Sequence, residues 1–234
     1  MNIFDVHIKN GEVIDGTGAP KFKSDIVIDK GKIIGVFPAE NGDVRDPSEN
    51  HFLSNFKAKH TINAENKIIS PGFIDVHTHD DDNVFLDPSM SSKISQGVTT
   101  CVAGNCGISL APFSYKGEVP APIALLGKSE VFRFPRVSDY KEEFNNKPSS
   151  VNLALLTGHS MLRVEAMNGE FARPATTKEI SKMVDKLKLA LEDGSIGLST
   201  GLAYPAANDA PTSEIIELAK ILPEFNGIFT THMR

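Results

Sequence analysis

His77-Thr78-His79, with Asp75 two places earlier, is the segment of this chain best suited to chemistry. Two imidazoles can hold a divalent metal together when they share a face. The lead-in supplies one. Gly72-Phe73-Ile74-Asp75-Val76 follows a Pro71-Gly72 break and reads as a short apolar strand over Gly72–His77. Residues two apart on a strand point the same way, so Phe73, Asp75, His77 and His79 share one side and Ile74 and Val76 the other. Asp75 is then placed to orient one of the rings from behind. The plainer alternative is a pair of solvated loop histidines. The apolar lead-in and the acidic run Asp80-Asp81-Asp82 weigh towards a metal.

Such a strand needs neighbours. After Gly72, further strand candidates fall at Gly97–Val102, Val151–Leu156, Ser195–Ser199 and Ile228–Thr231, separated by helical stretches. One helix starts at Thr176, a capping residue with Glu179 three places on. It carries Ile180, Met183, Val184, Leu187 and Leu191 as an apolar stripe and stops at Gly194. A second spans Thr212 to Leu222, before Pro223. Alternating strands and helices imply a parallel sheet with right-handed crossovers, hence an α/β barrel. A doubly wound open sheet is the alternative, but no Gly-x-Gly-x-x-Gly turn supports nucleotide binding.

The first ~70 residues differ, and their patterning is all-β. Val6 to Val13 alternates around Asn10-Gly11, Asp25 to Val36 forms a hairpin at Asp29-Lys30-Gly31, and Lys67-Ile68-Ile69 adds a strand. Pro38 to Lys59 is polar and reads as a long loop or insertion.

Composition narrows the function classes. The chain has 234 residues, 40 % apolar and 23 % charged, enough to bury a sizeable core. A net charge of −6 argues against a nucleic-acid partner. No apolar run reaches membrane-spanning length, and the first residues lack a signal peptide's pattern. Cys101 and Cys106 are too few for a disulfide framework, so a cytoplasmic location is expected.

In a parallel barrel the site lies at the C-terminal ends of the strands, which selects further candidates. Cys101 lies within the second strand and packs as a small apolar residue. Cys106 follows in the Gly-flanked loop Gly104-Asn105-Cys106-Gly107, as a metal-binding thiolate or a buried structural thiol. His232 ends the fifth strand. His159 ends the third, either lining the pocket or shaping its loop, and Tyr204 follows the fourth, to contact substrate or to pack at a turn. His7, His51 and His60 read as surface or structural residues.

These segments together resemble the N-acyl-D-amino-acid deacylases (D-aminoacylases) of the amidohydrolase superfamily. The likeness is carried by Asn10 to Gly18, Pro71 to His79, Gly104-Asn105-Cys106-Gly107, Gly158 to Arg163, Gly197 to Pro205, and Thr231-His232-Met233-Arg234. The His-x-His segment marks only the superfamily, whereas the cysteine, Gly-Leu-Ser-Thr-Gly-Leu and Thr-His-Met-Arg segments are more specific. The resemblance implies part of a small β-sandwich domain, residues 1–70, and a metal-dependent hydrolase barrel with about five of its eight strands, residues 71–234. It implies zinc-dependent hydrolysis of the N-acyl amide bond of small N-acyl-D-amino acids. Cys106 and His232 match ligands of a tightly held zinc, and His77 and His79 match the pair of a second, weaker position. Tyr204 is the candidate substrate contact.

The resemblance also places the family's catalytic aspartate, another zinc histidine and a carboxylate-binding arginine past Arg234. Residues 1–234 alone are expected to be a catalytically inactive fragment of low solubility, with an exposed sheet edge. Two other readings remain. A superfamily hydrolase acting on a cyclic amide usually carries a lysine carbamate on the fourth strand, and Ser195–Thr200 contains no Lys. A non-enzymatic scaffold would usually have lost its ligands, yet His77, His79, Cys106 and His232 are all present.

Overall fold

The computed structural model describes residues 2–38, 56–121 and 123–233. The chain divides into two compact units, Met1–Pro71 and Gly72–Arg234.

The first unit is a sheet in the order β3-β2-β1-β4, with β5 also pairing β1. Its strands are β1 (Asn2–Val13), β2 (Phe22–Asp29), β3 (Lys32–Pro38), β4 (Phe56–Asn63) and β5 (Ile68–Ile69). β1 runs antiparallel to β2 and parallel to β4 and β5. The β2–β3 hairpin closes through Lys30 and Gly31, both at positive φ (50° and 72°), as a two-residue turn of this hand requires. Val13, Ile26, Val27 and Ala64 are buried. His7 is structural: its Nε2 lies 2.7 Å from Asp25 Oδ2, and both side chains are largely buried. At both ends of the long loop expected over Pro38–Lys59 the structure has strand instead, since β3 includes Pro38 and β4 starts at Phe56. β4 is mostly exposed, although Phe56, Ala58 and Ile62 alternate with Lys57, Lys59, Thr61 and Asn63, and its partner β1 lies some fifty positions earlier, so a short polar segment became a strand through long-range pairing. Residues 39–55, His51 among them, lie outside the described residues.

The second unit is built on parallel strands. They are β6 (Phe73–Asp75), β7 (Val98–Ala103), β10 (Asn152–Leu155), β11 (Thr157–Gly158), β12 (Gly197–Gly201) and β13 (Ile228–His232). A short antiparallel pair, β8 (Phe113–Ser114) and β9 (Arg133–Phe134), lies between β7 and β10. The parallel strands form two three-stranded sheets, β10-β7-β6 and β11-β12-β13, rather than one unbroken sheet. β10 and β11 are one strand run interrupted at Leu156. The Leu156 N–H donates to Ala103 O and the Ile196 N–H to Leu155 O, so this run touches the neighbour on each side. The interruption sits where the Cys106 loop leaves the sheet. A Cβ on Gly104 (φ +78°) would fall 2.1 Å from Leu156 O, so only glycine allows that approach.

Helices α1 (Asn83–Leu86), α2 (Ser91–Ile94), α3 (Val137–Asn146), α4 (His159–Ala166), α5 (Thr177–Glu192) and α6 (Thr212–Ala219) follow in chain order. On α5, Met183, Leu187 and Leu191 are buried with Leu162, Leu198 and Leu218, as the stripe requires. The cap forms in both directions: Thr176 Oγ1 accepts from the Glu179 N–H, and Glu179 accepts from the Thr176 N–H. Arg173 also donates twice to Glu179, and these bonds hold its carboxyl well below the usual carboxylate range. A depressed folded-state pKa stabilises above the unfolded value and is lost as pH falls through the folded one. Thr176→Ala is expected to cost about 1 kcal/mol at neutral pH. The gap in melting temperature between wild type and Glu179→Gln should narrow when melts are repeated below about pH 4.5, the ordinary glutamate value. Among the described residues no helix is long and apolar enough to cross a membrane.

Candidate metal centre

β6 ends at Asp75, its third residue, so His77 and His79 stand beyond the strand rather than on it. Alternation nevertheless continues. Thr78 turns inward, its N–H and Oγ1 both bonded to Val102 O at 3.0 and 3.1 Å, while His77 and His79 turn outward. Cys106 comes to meet them from the loop after β7, at a positive φ of 55°. The ligand atoms of His77, His79 and Cys106 all lie within 4.8 Å of one another. His77 Nε2 is 3.1 Å from Cys106 Sγ. His232, the last residue of β13, brings Nδ1 to 3.8 Å from the same sulfur, but stands outside the group of three. The Tyr204 hydroxyl is 3.1 Å from His232 Nδ1 and also hydrogen-bonds Cys106. The four histidine and cysteine positions and Tyr204 thus face one place from four strand ends.

Burial pushes the Cys106 thiol up, with the Tyr204 hydrogen bond opposing. Burial, then the neighbouring His77, lowers His79, so its ring favours the neutral form that can donate a lone pair. A thiol beside two imidazoles is a borderline-soft donor set of the kind zinc takes, and the residues present fit that ion.

Two expectations need correction. Asp75 orients no ring: its Oδ1 accepts from the His77 N–H at 3.3 Å and its Oδ2 pairs with Lys93. Lys93 holds the Asp75 carboxyl below its usual range. The acidic run does not point at the metal ligands either. Asp80 pairs with Lys93, Asp82 stands at the start of α1 without a side-chain cap bond, and Asp81 is fully buried, accepting from the Gly104 and Leu110 N–H groups. Asp81 therefore ties the histidine turn to the ends of the cysteine loop. Side chains after a strand end are aimed by such individual bonds, which strand periodicity does not describe.

His159 lies at the start of α4, fully buried, with Nε2 2.8 Å from Glu214 Oε1. Burial lowers its pKa, so it is a neutral ring donating to the carboxylate. It shapes the structure rather than lining the cluster. The same Glu214 accepts two bonds from Arg163 Nη1 at 2.6 Å, and Arg163 also donates to the Ala206, Phe171 and Arg173 carbonyls. Burial pushes Glu214 up, but the bonds from His159 and Arg163 outweigh it, and the carboxyl stays ionised. Arg163 and Glu214 were missed as partners in the sequence. The available signal was His159 and Arg163 four apart in a short helix between apolar residues, which places both on one face. Cys101 is buried within β7, as expected.

Over 232 residues the chain is 40 % identical to the D-aminoacylase of Alcaligenes xylosoxydans xylosoxydans, covering 99 % of this chain and 44 % of that protein. A crystal structure of N-acyl-D-glutamate deacylase from Bordetella bronchiseptica, complexed with zinc and a phosphonate mimic of the tetrahedral intermediate, is 38 % identical. It superposes at a TM-score of 0.88, over 100 % of this chain and 46 % of that one. A D-aminoacylase structure described for its binuclear metal centre is 44 % identical, with a TM-score of 0.87 over 99 % and 45 %. The chain thus spans less than half the length of these relatives. The model of the amidohydrolase family matches residues 60–223, more than half of the chain, and the chain belongs to that family.

Proposed function

We propose that the protein hydrolyses the N-acyl amide bond of N-acyl-D-amino acids in a zinc-dependent reaction, releasing a carboxylate and a D-amino acid. The observation that carries this is the convergence of Cys106, His77 and His79 within 4.8 Å, with His232 3.8 Å from the thiol sulfur. The D-aminoacylase and deacylase relatives support the substrate class. In this reading Gly72–Arg234 belongs to a (β/α)8 hydrolase barrel and Met1–Pro71 to a small β-sandwich domain.

Cys106 and His232 would hold a tight zinc, and His77 and His79 a second, weaker one. Bound zinc supplies Lewis acidity, acidifying a water and polarising the scissile carbonyl. The protein's own part is placement. Thr78 and Asp81 anchor the histidine turn to the sheet and to the cysteine loop. The Tyr204 hydroxyl, 3.1 Å from His232 Nδ1, would bond a polar group of the substrate. Asp75, Asp80 and Asp81 are all engaged by Lys93 or by backbone N–H groups, so none of the three is free to act as general base.

The test is a chiral assay of the natural protein loaded with zinc, on N-acyl-D- and N-acyl-L-amino acids and on a cyclic amide. Release of D-amino acid alone is expected. Turnover of the L-enantiomer or of the ring instead would contradict the reading.

A further inference from the structure

The ligand pair His77 and His79 is presented outward, so something other than packing has to hold its turn. Lys93 is placed to do so. From α2 its Nζ reaches 2.7 Å to Asp75 Oδ2 and 3.0 Å to Asp80 Oδ2. These two carboxylates bracket the pair, one two residues before His77 and the other directly after His79. A single ammonium thus pins both ends of the segment Asp75–Asp80. The other oxygen of Asp75 accepts from the His77 N–H at 3.3 Å, which carries the restraint to the backbone of the first ligand. An exposed ion pair would add little. Here the Lys93 side chain is only 21 % exposed and those of Asp75 and Asp80 33 % and 19 %, so the three groups form one partly buried lock.

We propose that Lys93 is a positioning residue: by bridging Asp75 and Asp80 it holds His77 and His79 in ligating position. This rests on the zinc reading above. Groups that orient metal ligands from behind typically change metal affinity by about 10–100-fold when removed.

The experiment compares wild type, Lys93→Met and Lys93→Arg by zinc titration calorimetry, with His77→Ala identifying the weaker class of site. Amide hydrogen exchange at His77, measured without metal, gives a second readout. Lys93→Met is expected to weaken the weaker class by about 10–100-fold, to leave the tighter class within about twofold, and to speed exchange at His77. Lys93→Arg, which keeps the bridging charge, is expected to restore most of both. Unchanged affinity of the weaker class in Lys93→Met, an equal loss at both classes, or no rescue by arginine would overturn the assignment. If wild type binds no zinc, this inference and the reading beneath it fall together. If wild type binds zinc and Lys93→Met binds it equally well, only this inference falls.

Discussion

Glu214→Ala is expected to lower stability by about 3–5 kcal/mol, read as a shift in the urea or thermal unfolding midpoint. The cause is the company Glu214 keeps. Its carboxylate, the Arg163 guanidinium and the His159 ring are all 0 % exposed. A buried charge left without its partner has neither water nor a counter-ion, and that is more costly than the loss of the pair's net attraction. Truncating Glu214 strands the guanidinium and removes the acceptor of His159 at once. Arg163→Met should be comparably harmful, since it also strips donors from the Ala206, Phe171 and Arg173 carbonyls. Replacing both charges, as Arg163→Met with Glu214→Leu, should recover part of the loss, because no lone ion remains. A Glu214→Ala variant within about 1 kcal/mol of wild type would show that water reaches this network. Ala206 follows Tyr204 by two residues, so the network also holds the segment that brings the phenol to His232.

Cys106→Ala is expected to weaken zinc binding by more than about 100-fold while the fold survives. Its sulfur is the point the other candidate ligands share, at 3.1 Å from His77 Nε2 and 3.8 Å from His232 Nδ1. Removing a ligand outright should exceed the 10–100-fold typical of removing a group behind one. The alanine methyl fits the same left-handed position no worse than cysteine does. Equilibrium dialysis against zinc reports the affinity, and circular dichroism confirms the fold.

Sequence periodicity reached the elements that obey simple local rules. The Thr176–Glu179 capping box, the α5 stripe and the Lys30-Gly31 turn all depend on residues within one or two turns of each other. The approach of His77, His79 and Cys106 was legible because strand ends are where loops converge. Three things were not. α1 and α2 are four residues each, too short to show a periodic stripe. The roles of Asp75, Asp80 and Asp81 depend on Lys93 and on backbone N–H groups of a loop more than twenty positions away. The Arg163–Glu214 pair is 51 positions apart, and a charged residue on a helix reads by default as solvated.

Zinc-edge X-ray absorption on the loaded protein reports whether the proposed zinc is bound by a thiolate and imidazoles. The expected spectrum shows one sulfur at about 2.3 Å with nitrogen or oxygen at about 2.0–2.1 Å, and the sulfur shell vanishes in Cys106→Ala. A loaded wild type whose zinc has only nitrogen and oxygen neighbours would contradict it.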